Sequence, residues 1–204
     1  MLIAAASRMG STMELAHAMG SRLRANGVTT DVTRAAEVGD VTRYDAVLLG
    51  SALYRTRWLP EAVELAVRCV SQSQQRPMWL FSSGPVGAKA GWRRRYGAGP
   101  DPLEMAMLFD LTGAREHRSF AGRLLPGRLT VGQRLLAGLI PGLAGDFCDW
   151  PAVSAWCDHV TGELGALHRE DRKTRAAPST SWDPLMQRSA SKRSGSSPAA
   201  QATS

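Results

Sequence analysis

Residues Leu2 to Ala6 are uniformly apolar with no polar alternation, the pattern of a strand covered on both faces. A short polar stretch, Ser7 to Thr12, follows. Met13 to Ala25 then places Leu15, Ala16, Met19 and Leu23 at helical spacing, and Asn26-Gly27 supplies a pair suited to a left-handed end. Val28 to Arg34 alternates like an outer strand, and Ala46 to Leu49 before Gly50 reads as a second buried strand. Pro60 to Val70 has Pro at a first helical position and one apolar face. Met78 to Phe81 predicts a third buried strand, Pro102 to Leu111 a helix, Glu116 to Ala121 a last strand, and Trp150 to Leu167 a closing amphipathic helix.

Strands separated by helices predict a parallel sheet with helices on both faces, because parallel neighbours need crossovers and crossovers are right-handed. The fold class is α/β, doubly wound. Ligands in such sheets bind at the carboxyl ends of the strands, which directs attention to the loops after the three buried strands. Leu124 to Leu143 is open to two readings. Its leucines between Arg123, Arg128 and Arg134 suit a helix packed on the sheet, or one lying on a membrane or over a substrate cavity.

Composition narrows the class. The chain has 204 residues, 44% apolar and 21% charged, enough for one domain with a tail. The domain is expected over 1–168 and a basic disordered tail over 169–204, where seven Lys or Arg face three Asp or Glu and few large apolar residues are available to offset the entropy of ordering. The formal net charge is +7. The tail has no dense basic run, so no specific nucleic-acid partner is expected. No apolar run reaches the roughly 18 residues that span a bilayer, and the N-terminus lacks a basic start, so a cytoplasmic location is expected, with peripheral contact at the inner face of the membrane as a variant. Three cysteines, Cys69, Cys148 and Cys157, have no metal-ligand spacing, so no metal site is expected.

The first loop, Ser7, Arg8, Met9, Gly10, Ser11 and Thr12, offers hydroxyls, a flexible Gly and the free N–H groups of a helix start, the parts that wrap a phosphate. It is neither a Gly-Lys-Ser/Thr loop nor Gly-x-Gly-x-x-Gly, which leaves a monophosphate as the best fit. The second loop, Gly50 to Trp58, brings Tyr54 and Trp58 beside Arg55 and Arg57, rings for a planar ligand with cations for its polar edge. The third, Ser82 to Gly87, consists of small residues that allow a ring system to approach the backbone closely. A phosphate cradle between two walls for a flat heterocycle describes a site for flavin mononucleotide (FMN).

These stretches also carry a resemblance. Ala6-Ser-Arg-Met-Gly-Ser-Thr12, Tyr44 to Ser51 with Tyr54 and Trp58, Trp79 to Pro85, and Gly145 to Trp150 resemble the flavodoxin-like family, in the branch related to menaquinone-dependent protoporphyrinogen IX dehydrogenase, over about residues 1–165. The resemblance implies a sheet of order 2-1-3-4-5 and non-covalent FMN. The phosphate would rest on Ser7, Arg8, Met9, Gly10, Ser11 and Thr12; the ring would lie between Ser51, Ala52, Leu53 and Tyr54 on one side and Ser83, Gly84, Pro85 and Gly87 on the other. Relatives often carry His or Thr where this chain has Met9, which removes a side-chain hydrogen bond and leaves the backbone cradle.

Flavodoxins that shuttle electrons have acidic surfaces around the flavin, whereas Arg55, Arg57, Lys89, Arg93, Arg94 and Arg95 give this edge the opposite sign. That field suits a small anionic substrate or redox partner, such as a porphyrinogen bearing propionates in heme biosynthesis, or an anionic membrane where a quinone accepts electrons. The implied function is an FMN-dependent oxidoreductase of the protoporphyrinogen dehydrogenase type. Two alternatives are a flavodoxin-type electron-transfer protein without its own substrate, and a scaffold holding a deazaflavin or no flavin. No side chain is assigned as acid or base. His17, His117, His159 and His168 read as surface or core residues, Asp146 and Asp149 as a turn and an N-cap, and the cysteines as packing residues.

Overall fold

The five residues Leu2–Ala6 form β1, all of them buried, as the unbroken apolar run requires. The computed structural model describes residues 1–72, 76–84, 100–121, 123–124, 145–146 and 148–176. After β1 come α1 (Ser11–Ala25), β2 (Asp31–Arg34), β3 (Val47–Tyr54), β4 (Arg57–Trp58), α2 (Pro60–Gln72), β5 (Met78–Gly84), α3 (Pro102–Thr112), β6 (Glu116–Ala121), β7 (Arg123–Leu124), β8 (Gly145–Asp146) and α4 (Trp150–Ala176). The main sheet runs β2-β1-β3-β5-β6, all parallel, with β4 folded back antiparallel on β3. This is the doubly wound order 2-1-3-4-5 in terms of the five principal strands. A separate antiparallel pair joins β7 to β8.

Alternation along the strands divides the core. One face carries Leu2, Ala4, Leu49 and Leu80 against Leu65 and Ala66 of α2 and Met105 and Leu108 of α3. On the other, Phe81 meets Trp156 of α4 edge to face at 6.5 Å, and Phe120 approaches the same indole at 5.5 Å. Phe81 lies flat on Gly50 of β3, where an added Cβ would fall 2.1 Å from the ring. Arg22 of α1 clamps Asp158 of α4 with two 2.7 Å hydrogen bonds, and Asn26 donates to the same carboxylate.

By contact the chain divides into Met1–Leu164 and Gly165–Ser204. In the second unit α4 is helical to Ala176, so residues 169–176, read as the start of the tail, are helix. The remainder of that segment lies outside the described residues, as do 125–144, which hold most of the amphipathic stretch. Asp146 stands in β8 rather than a turn, while Asp149 caps α4 by accepting the N–H of Ala152 at 3.0 Å.

Two segments read as loops are strand. β3 continues through Gly50 to Tyr54 and turns back into β4, and β5 continues through Ser82 and Ser83 to Gly84. Both extensions are held by the parallel ladder, with Ala6 beside Ser51, Ser51 beside Ser82, and Ser82 beside Ser119. A row of small residues thus crosses four strands just below the edge where the loops leave.

Candidate functional site

The loop after β1 is shaped by its own backbone. Gly10 N–H donates to Ser7 Oγ at 3.0 Å, and Gly10 adopts φ 88°, a left-handed conformation that favours glycine. The first bond of α1 runs from Glu14 N–H to Gly10 C=O at 3.0 Å, so the N–H groups of Ser11, Thr12 and Met13 precede the helical ladder. No side chain caps this end. The helix dipole and Arg8 bring positive potential to this end, opposed by Glu14 in the first turn. Within this turn Thr12 is wholly buried, and its Oγ1 has no hydrogen-bond partner. An orphaned hydroxyl costs about 1–3 kcal/mol, and a phosphate oxygen bonded to it would remove that cost. The residues present therefore fit a phosphate group.

The second wall is a hairpin. Tyr54 pairs with Arg57 across a two-residue turn in which Arg55 (φ 51°) and Thr56 (φ 69°) are both left-handed, as a type I′ turn demands. Four bonds brace it, three at the base and one at the turn. Leu59 N–H donates to Ser51 Oγ at 2.8 Å, Trp58 N–H to Glu104 Oε2 at 2.9 Å, Trp58 Nε1 to Ser82 Oγ at 2.8 Å, and Asp101 N–H to Thr56 O at 2.8 Å. Ser51 also donates to Ala52 O and is fully buried, so its hydroxyl is committed to the hairpin. Ala52, Leu53 and Tyr54 are half-buried, and Arg8 lies over the Tyr54 ring, 5.1 Å from its centroid.

Trp58 is not a stacking surface. It is 4% exposed, packed in the core beneath the hairpin, with its indole N–H turned to Ser82. Ser82 Oγ also lies 2.8 Å from His117 Nε2. Burial pulls the His117 pKa down to about 4 despite Glu116, so the ring is neutral near pH 7. Trp58 can only donate; Ser82 accepts from it and donates to Nε2, and none of these three groups is left idle. Sequence reasoning missed this chain because its members are 24 and 35 positions apart and none belongs to a recognisable motif.

On the third wall Ser83 is buried in β5 and Gly84 half-buried at its end. Pro85 and Gly87 lie outside the described residues, as do Lys89 and Arg93 to Arg95. At the hairpin tip Arg55 and Arg57 are exposed and have no ion-pair partner among the described residues. The nearby carboxylates are held by backbone donors, Glu104 by Trp58 N–H and Asp101, at the cap of α3, by Leu103 N–H. The two guanidiniums are thus left exposed at the tip. Cys69 and Cys157 are buried, with thiol pKa values raised by desolvation, the latter to about 12, which makes both inert. A cavity of about 550 Å³ opens beside β2, lined by Arg24, Asp31, Thr33, Glu37, Asp40 and Arg43 among others; it shares no residue with these walls.

A parallel doubly wound sheet whose first strand runs through a tight turn into a helix defines a domain of the α/β class. A family model described as "Flavodoxin domain" matches residues 2–147, and the chain belongs to that family. No curated protein matches the chain. Among solved structures it is similar to a flavodoxin from Streptococcus pneumonia TIGR4 at 14% identity, covering 79% of this chain and 97% of that one with a TM-score of 0.49. A mutant flavodoxin from Pseudomonas aeruginosa aligns at 15% identity over 77% and 95% of the two chains, TM-score 0.46. The two-electron reduced flavodoxin of Megasphaera elsdenii aligns at 18% over 58% and 85%, TM-score 0.40. Among the described residues no helix is long and apolar enough to cross a membrane, and no cluster of three or more His, Cys, Asp or Glu is suited to a metal ion.

Proposed function

We propose that this chain binds FMN and works as a flavin-dependent oxidoreductase on a small anionic substrate. The observation that carries the reading is the buried, unpartnered hydroxyl of Thr12 at a helix start that no side chain caps and whose N–H groups precede the ladder. Ser7, Arg8, Gly10, Ser11 and Thr12 would hold the phosphate, with Met9 contributing its backbone only. Ala52, Leu53 and Tyr54 would flank the ring on one side, and Ser83 and Gly84 on the other.

When bound, FMN supplies electron and hydride chemistry at its ring; the protein's share is position, water exclusion and charge. The braced hairpin keeps Tyr54 at a fixed height above the sheet edge. Arg55 and Arg57 attract anions to the same edge, which favours a carboxylated substrate such as a porphyrinogen, with electrons passing to a quinone at a membrane surface. The flavodoxin-domain match equally supports a second reading, an electron carrier served by a protein partner.

Anaerobic titration with FMN, followed by protoporphyrinogen IX and then a menaquinone analogue, tests these in order. Flavin bleaching by the porphyrinogen and its reversal by the quinone support the dehydrogenase. Tight FMN without bleaching selects the carrier. Protein that ignores FMN at every concentration refutes the flavin reading and leaves a scaffold holding another ligand or none.

A further inference from the structure

Arg8 stands in the turn assigned to the phosphate, yet its guanidinium lies over the ring of Tyr54 on the neighbouring hairpin. It has no carboxylate partner among the described residues. A guanidinium stacked on a tyrosine at an exposed site is weakly held, whereas one paired with a phosphate makes short, charge-assisted and often bidentate bonds. The ring face beneath Arg8 is closed to any planar ligand while the stack persists. The backbone on either side is set by the Gly10 to Ser7 bond, and Tyr54 by its pairing with Arg57. The long, exposed Arg8 side chain is the part these bonds leave unfixed.

We propose that Arg8 moves between these two partners, resting on Tyr54 when the turn is empty and drawn to the phosphate on binding, so that anchoring the dianion uncovers the ring face. This rests on the FMN reading above and makes Arg8 the residue that selects a phosphorylated flavin over the same ring without phosphate. FMN replaces the stack with an ion pair. Riboflavin has to displace Arg8 with no ion pair in return.

The test compares FMN and riboflavin binding to the wild type and Arg8→Ala by calorimetry at one ionic strength. Arg8→Ala should weaken FMN by about tenfold or more, from loss of charge-assisted bonds, while riboflavin, no longer having a stack to displace, binds more tightly; unchanged riboflavin affinity would overturn the switch. The FMN-to-riboflavin preference then falls by at least that factor. Equal losses for both ligands would overturn the proposal by making Arg8 a fixed part of the ring wall. An unchanged preference would overturn it as well. Arg8 is exposed, so the variant should keep the wild-type near-ultraviolet dichroism; if it does not, Arg8→Gln, which retains the stem without the charge, is compared instead. Wild-type protein that binds neither flavin would refute the flavin reading itself, a result separate from either of those.

Discussion

Trp58 Nε1 donates to Ser82 Oγ at 2.8 Å, tying the base of the β3–β4 hairpin to the neighbouring strand β5. The indole is almost fully buried, so this bond has no water to replace it. Trp58→Phe keeps most of the apolar volume and removes the donor. It should cost about 1–3 kcal/mol by leaving a buried oxygen short of a partner, read as a lower urea midpoint with an unchanged slope. FMN affinity should fall as well, because the ring-side hairpin loses a brace.

His117 gives stability a pH dependence of defined sign. Its pKa is lowered from 6.5 to about 4, first by burial and against the pull of Glu116. As pH falls through 6.5 the unfolded chain takes up a proton that the folded chain refuses until about 4. Stability is therefore full above that window, is lost across it and levels below. Allowing for partial exposure, the loss is roughly 2–3 kcal/mol. His117→Gln keeps an acceptor for Ser82 and does not titrate; urea midpoints measured across the window should lose this part of the slope.

Thr12→Val should separate folding from binding by their signs. The orphaned Oγ1 contributes nothing to the empty protein, so the variant should be as stable as the wild type or more stable by about 1 kcal/mol. FMN should bind about tenfold more weakly. Thermal melts and FMN titrations on the same preparation check both. A destabilised variant with unaltered FMN affinity would place the phosphate elsewhere.

Thr56 is a β-branched residue at φ 69°, a conformation that costs on the order of 1–3 kcal/mol outside glycine. Thr56→Gly keeps the Asp101 N–H to Thr56 O bond, which is to backbone. Because glycine also loses more entropy on folding, the net gain should be about 1 kcal/mol, seen as a melting temperature higher by a few degrees.

The sheet was legible because its strands are apolar runs. β1 matches its predicted limits, as does β6, and the order of the five principal strands is the expected one. The strand ends were hidden because Ser51, Ser82 and Ser83 are polar by type but buried by position, held in the ladder between neighbours that hydrophobicity cannot reveal. The hairpin was hidden because its turn is Arg55-Thr56 rather than Asn-Gly. Trp58 shows how little residue type says about direction: a ring next to a candidate ligand loop proved to point into the core, held by partners far away in sequence. The turn after β1 was read more fully, since N–H groups that precede the ladder at a helix start follow from local chain order.

None of the four bonds that brace the hairpin uses the side chain of Arg55 or Arg57. The scaffold and its fingertip are thus separable. Exchange at these two positions would alter the charge of this rim while the beam beneath stays rigid, so the field at the edge can change without disturbing the strands that frame it.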